Sequence, residues 1–143
     1  MSADAVTDAL VGAITAGEHD FIVANYANPD MVGHTGVWEA TVRALEHLDG
    51  CLGRVAQAVL EGTAGRGLLC VTADHGNADE MRDLEGRPVT AHSINPVPVL
   101  LAGPLARGLR LRDGVLADVA PTLLELVGVE QPAAMTGRSL IER

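Results

Sequence analysis

An α/β fold built on a largely parallel sheet is what this sequence predicts, and three observations predict it. Short, near-continuous apolar runs at 20–27 (DFIVANYA), 67–73 (GLLCVTA) and 97–102 (VPVLLA) have the length of strands buried on both faces. Segments of helical period separate them. The turns beside them concentrate histidine and aspartate, where open α/β sheets bind their ligands. Three strands are few against the usual ~5–6 in a sheet, so the chain reads as part of a larger sheet.

Each element follows from its pattern. Residues 2–16 form an amphipathic helix, with Ser2 as a cap, Val6, Leu10, Ala13 and Ile14 on one face, and Gly17 as the stop. The 20–27 run is a buried strand. The stretch 28–36 (NPDMVGHTG) is a turn rich in polar ligand types. From 37 to 61, Trp38, Val42, Leu45, Leu48, Leu52, Val55 and Val59 recur at three- and four-residue spacings, which predicts one long helix that Gly50 and Gly53 loosen. Strand 67–73 runs straight into Asp74-His75-Gly76-Asn77. A polar excursion, 78–90, carries Asp79, Glu80, Asp83 and Glu85 as a solvated loop. Strand 97–102 follows, then a short edge strand at 110–112. The helix at 118–127 accepts Pro121 in its first turn and ends at Gly128.

Composition excludes several classes of function. The 143 residues carry a net charge of −9, and every basic side chain is arginine. Phosphate backbones and anionic lipid surfaces demand concentrated positive charge, so neither nucleic acid nor membrane is an expected partner. With one Phe, one Tyr and one Trp, the core is aliphatic and base-stacking platforms are absent. Cys51 and Cys70 stand in unrelated contexts as small core hydrophobes. With no signal peptide and no ~20-residue apolar span, they predict a reducing, cytoplasmic compartment.

The chemistry gathers in three places: Asp30 with His34, Asp74 with His75, and His92. Asp30 and His34 are four apart, so one turn of helix puts them on one face. Gly76 permits the turn that adjacent Asp74 and His75 need to serve one ion. Mixed imidazole and carboxylate donors suit zinc, manganese or iron. The five residues make one crowded site or two sites with about three and two protein ligands, the second arrangement being usual for phosphoryl transfer. Each also has an ordinary structural role open to it, Asp30 and Asp74 as caps and His92 as a loop histidine. His19 and His47 read as solvated. No catalytic nucleophile presents itself, since none of Ser2, Ser93 and Ser139 lies in a nucleophile elbow.

The runs NPDMVGHTG, TADHGNAD, AHSINPVP and DVAPTLLEL, in this order, resemble the cofactor-independent (2,3-bisphosphoglycerate-independent) phosphoglycerate mutases of the alkaline-phosphatase superfamily. The resemblance runs along nearly the whole chain, and NPDMVGHTG is its most specific element. It implies an alkaline-phosphatase-like three-layer sandwich, incomplete in this chain. It implies a glycolytic isomerase that interconverts 3-phosphoglycerate and 2-phosphoglycerate through a phosphoserine, using two manganese ions. Asp30, His34 and His92 would hold one ion, and Asp74 and His75 the other. The nucleophilic serine, a further aspartate and the inserted transferase domain would lie on an N-terminal part that this chain does not contain. Residues 1–143 would then be the C-terminal part of the phosphatase-like domain, inactive alone. The alternatives are a non-catalytic metal-binding or docking domain, or another phosphomutase or phosphatase of the superfamily.

Overall fold

The computed structural model describes residues 2–142. They fall into two compact units, divided between Pro104 and Leu105.

The first unit contains helices α1 (Ala3–Ala16), α2 (Asn28–Gly33) and α3 (Trp38–Gly62) and strands β1 (Leu69–Thr72) and β2 (Val99–Ala102). Helix α1 starts where expected: the Ser2 hydroxyl accepts the Ala5 N–H, and Gly17 closes the helix in the left-handed region. It packs on α3, burying Ala3 and Thr7 against a stripe that includes Cys51, Val55 and Val59. Helix α3 runs unbroken through Gly50 and Gly53, because tertiary packing outweighs about 1 kcal/mol per glycine.

The strand expected at 20–27 is absent. That segment pairs with nothing among the described residues, and Phe21 and Val23 are 64% and 79% exposed. Its β-forming side chains have no neighbouring strand to bond, and strand propensity without a partner does not make a ladder. The segment is tied down instead by Tyr26, whose hydroxyl pairs with buried Thr7 at 2.8 Å.

The two other strands form where expected but pair antiparallel, in the register Leu69↔Ala102 to Thr72↔Val99. This pair is the whole sheet among the described residues, so the largely parallel sheet is not seen there. The mixed α/β character holds. The polar excursion between the strands is more ordered than a solvated loop. Met81 is buried, and Asp83 closes a turn by accepting the Glu85 and Arg87 N–H groups and the Arg87 guanidinium.

The second unit holds a short 3-10 turn (Leu116–Asp118) and helix α4 (Val119–Val127). The expected edge strand is reduced to one bridge, Leu111 with Ile141. No described helix is long and apolar enough to cross a membrane.

Candidate metal centre

Helix α2 brings Asp30 and His34 together. Pro29 starts the helix where its missing N–H is harmless, and one turn later His34 Nε2 stands 3.2 Å from Asp30 Oδ1. The long excursion after β1 returns His92 to the same point. Its Nε2 lies 3.2 Å from Asp30 Oδ1 and 3.1 Å from His34 Nε2. Asp30, His34 and His92 thus face one another as a near-equilateral triangle of donor atoms.

His75, just past β1, stacks on His92 with ring centroids 3.6 Å apart. Its Nδ1 is 4.0 Å from Asp30 Oδ1, and its Nε2 is 3.6 Å from Asp74 Oδ1. Asp74 sits at the rim, its side chain 84% exposed. All five sequence-derived residues are therefore contiguous, as a tight group of three with a looser pair beside it.

The donor chemistry fits a cation at the triangle. His34 Nδ1 lies 2.6 Å from the Thr90 carbonyl oxygen, which has no proton to give, so Nδ1 carries the hydrogen. In the neutral ring Nε2 is then a lone pair aimed at a carboxylate oxygen and a second imidazole. A hydrogen on His92 Nε2 or a cation among the three atoms satisfies that lone pair. Two ligands each ~2.1 Å from one ion stand ~3.0–3.4 Å apart at right to tetrahedral angles, which brackets the observed separations. A backbone carbonyl fixing the tautomer is the usual partner of a metal-bound histidine.

Three supporting groups carry no signal that spacing could reveal. Thr90 acts through its carbonyl. Asn77, 7% exposed, donates from Nδ2 to Asp30 Oδ1 at 2.9 Å. Asp79 accepts the Ser93 hydroxyl at 2.7 Å and the Asn95 amide at 2.8 Å. These bonds, that from Asn95 foremost, hold the Asp79 carboxyl below its ordinary range. They clamp the turn that carries His92, together with the Ser93 N–H on the Gly76 carbonyl. The only local hint was Asn77, next to the Asp74-His75-Gly76 turn.

Gly33 allows the close approach of α2 to this network. A Cβ there would overlap the Asn77 side chain, and buried Asn77 has little room to yield. Gly33→Ala is expected to dislodge the amide from Asp30 and weaken metal binding ~10–100-fold, the usual cost of losing an outer partner of a ligand. Calorimetric titration of manganese into both proteins checks this, and unchanged affinity would show that Asn77 does not position Asp30.

Comparison with known proteins agrees with this chemistry. Residues 1–131 match the model of the metalloenzyme superfamily. Over 142 residues the chain is 59% identical to a protein of Syntrophotalea carbinolica and 53% identical to one of Acetivibrio thermocellus. Over 141 residues it is 53% identical to one of Desulforudis audaxviator. Each is named 2,3-bisphosphoglycerate-independent phosphoglycerate mutase. The matches cover 99% of this chain but 27% of each relative, so the chain spans about a quarter of their length.

Proposed function

The chain belongs to the metalloenzyme superfamily, and from that membership we propose that it is the C-terminal, metal-holding part of a manganese-dependent phosphoglycerate mutase. The observation that carries this reading is the convergence of one donor atom each from Asp30, His34 and His92, at 3.1 to 3.2 Å from one another. In this proposal the three hold one manganese, and Asp74 and His75 contribute to a second. Manganese bound there would supply positive charge for phosphoryl oxygens and for an ionising serine hydroxyl.

The chain's own residues set the limits of its part. Its three serines are already engaged. Ser2 caps α1, the Ser93 hydroxyl donates to Asp79, and Ser139 Oγ accepts the Ile141 N–H. In this proposal the nucleophile that becomes phosphoserine lies on another part of the full-length protein. A phosphoglycerate also needs several cationic donors. Arg54, Arg87 and Arg112 are committed to Asp8, to Asp83 and Glu85, and to Asp118, and in this proposal most of the substrate's cationic donors lie on another part of the full-length protein. The same division accounts for the sheet. Two strands alone are marginal in water, and the 20–27 run leaves Phe21 and Val23 uncovered. Further strands would extend this antiparallel pair into a larger, largely parallel sheet of a three-layer, alkaline-phosphatase-like sandwich. Two free cysteines suit a cytoplasmic setting.

An enolase-coupled assay with manganese tests the proposal. The 143-residue chain is expected to show no turnover of 3-phosphoglycerate alone. Turnover is expected once the remainder of the full-length protein, separately produced, is added, and it is expected to vanish with His34→Ala. Turnover by the chain alone, abolished by Ser93→Ala, would overturn the assignment of the nucleophile.

A further inference from the structure

Helices α1 and α3 bring together a second set of donors that shares no residue with the Asp30 cluster. His47 and Cys51 lie one turn apart on α3, and Asp4 comes from the first turn of α1. His47 Nε2 stands 3.1 Å from Asp4 Oδ2. The Cys51 sulfur completes the group, with one ligand atom from each residue within 4.8 Å of the others. We propose that Asp4, His47 and Cys51 form a thiolate-containing site for a zinc-class divalent ion.

The donor types argue for that class. Thiolate with imidazole selects zinc or cobalt, whereas manganese prefers oxygen-rich sites. An Asp4 carboxylate and a Cys51 thiolate together neutralise a divalent charge, and His47 adds a neutral donor. The three residues line a surface hollow of about 270 Å³ that also includes Glu46, a carboxylate able to take a further position, and Arg54. Arg54 does not oppose a cation with a free charge, because its guanidinium is held by Asp8. The thiol is buried while the carboxylate and imidazole are exposed. An ion would therefore enter from solvent and pin α1 onto α3 at its inner end.

Cobalt titration of the metal-stripped, reduced 143-residue chain decides the matter. A near-ultraviolet thiolate-to-cobalt charge-transfer band is expected, and excess zinc should bleach it. The band should persist in His34→Ala and in Cys70→Ser and disappear in Cys51→Ser. Asp4→Asn and His47→Ala change exposed positions and keep the test open should Cys51→Ser fail to fold. Each is expected to weaken the cobalt response at least ~10-fold. No band in the unmodified chain would overturn the proposal. So would a band that survives Cys51→Ser, or an affinity indifferent to both Asp4→Asn and His47→Ala; in those cases Asp4 and His47 are simply an ion pair beside a core thiol.

Discussion

His34→Ala is expected to weaken manganese binding by the chain at least ~100-fold, beyond the 10–100-fold that loss of an outer partner costs. The triangle explains the size of the effect. His34 Nε2 faces both Asp30 Oδ1 and His92 Nε2 at close to 3 Å, so removing it takes one donor of three and loosens the other two. His34 also spans the site, bonding through Nδ1 to the Thr90 carbonyl in the excursion that carries His92. The side chain is 39% exposed and its loss leaves no large cavity, so the far-ultraviolet spectrum should be unchanged. Asp74→Ala is expected to cost much less, since Asp74 stands exposed at the rim, 3.6 Å from His75 and outside the tight group of three. Free manganese measured by electron paramagnetic resonance separates the two variants. Equal losses would show that the ion is shared across all five residues and not seated on the triangle.

The features legible in the sequence are those set by local rules. The i, i+4 spacing of Asp30 and His34 places both on one helical face whatever surrounds them. Ser2, Gly17, Pro121 and Gly128 act on neighbouring backbone groups, and α1 and α4 begin and end within a residue or so of where those signals stand. The 20–27 segment shows the converse. Its composition is that of a strand, but a strand exists only through hydrogen bonds to another one, and none of the described residues supplies them. The direction of β1 against β2 went against the reading of the sequence, because near-continuous apolar runs report burial on both faces and accompany parallel pairing only as a tendency. At the candidate site the donors could be picked out by residue type, whereas their supports could not. Thr90 contributes a backbone carbonyl that any residue has, and Gly33 contributes the absence of a Cβ. Asp79 looked like one of several loop acids until its oxygen was seen to hold Ser93 and Asn95 together.

Asp118→Ala is expected to strip hydrogen-exchange protection from the second unit, by at least ~10-fold at the Arg138 amide. Asp118 is 4% exposed, and its carboxylate draws three separate stretches together. Oδ1 accepts the Arg138 N–H at 2.9 Å, and Oδ2 accepts Arg112 Nη2 at 3.0 Å and the Val115 N–H at 3.3 Å. Arg112 in turn donates to the carbonyls of Asp113, Arg138 and Ser139. Thr122 links the Asp118 carbonyl to the Leu140 N–H. Alanine leaves the Arg138 amide without its acceptor and a partly buried guanidinium without its counter-charge, and such uncompensated groups are costly. The same bonds, that from the Arg138 N–H first, hold the Asp118 carboxyl below the ordinary carboxylate range. A depressed folded-state pKa means that the stabilisation is complete above the unfolded value of ~3.9. It is lost as pH falls through the lower folded value, so the wild-type second unit should keep its protection until pH passes below that range. Asp118→Asn keeps an acceptor oxygen but no charge, and should lose less protection than alanine while flattening the acid transition. Phe21, Tyr26 and Trp38 all lie before residue 105, so aromatic fluorescence does not report on this unit. Exchange followed by mass spectrometry over 110–142 does. Wild-type protection in Asp118→Ala would mean that the apolar contacts of α4, and not this carboxylate, hold the C-terminal chain in place.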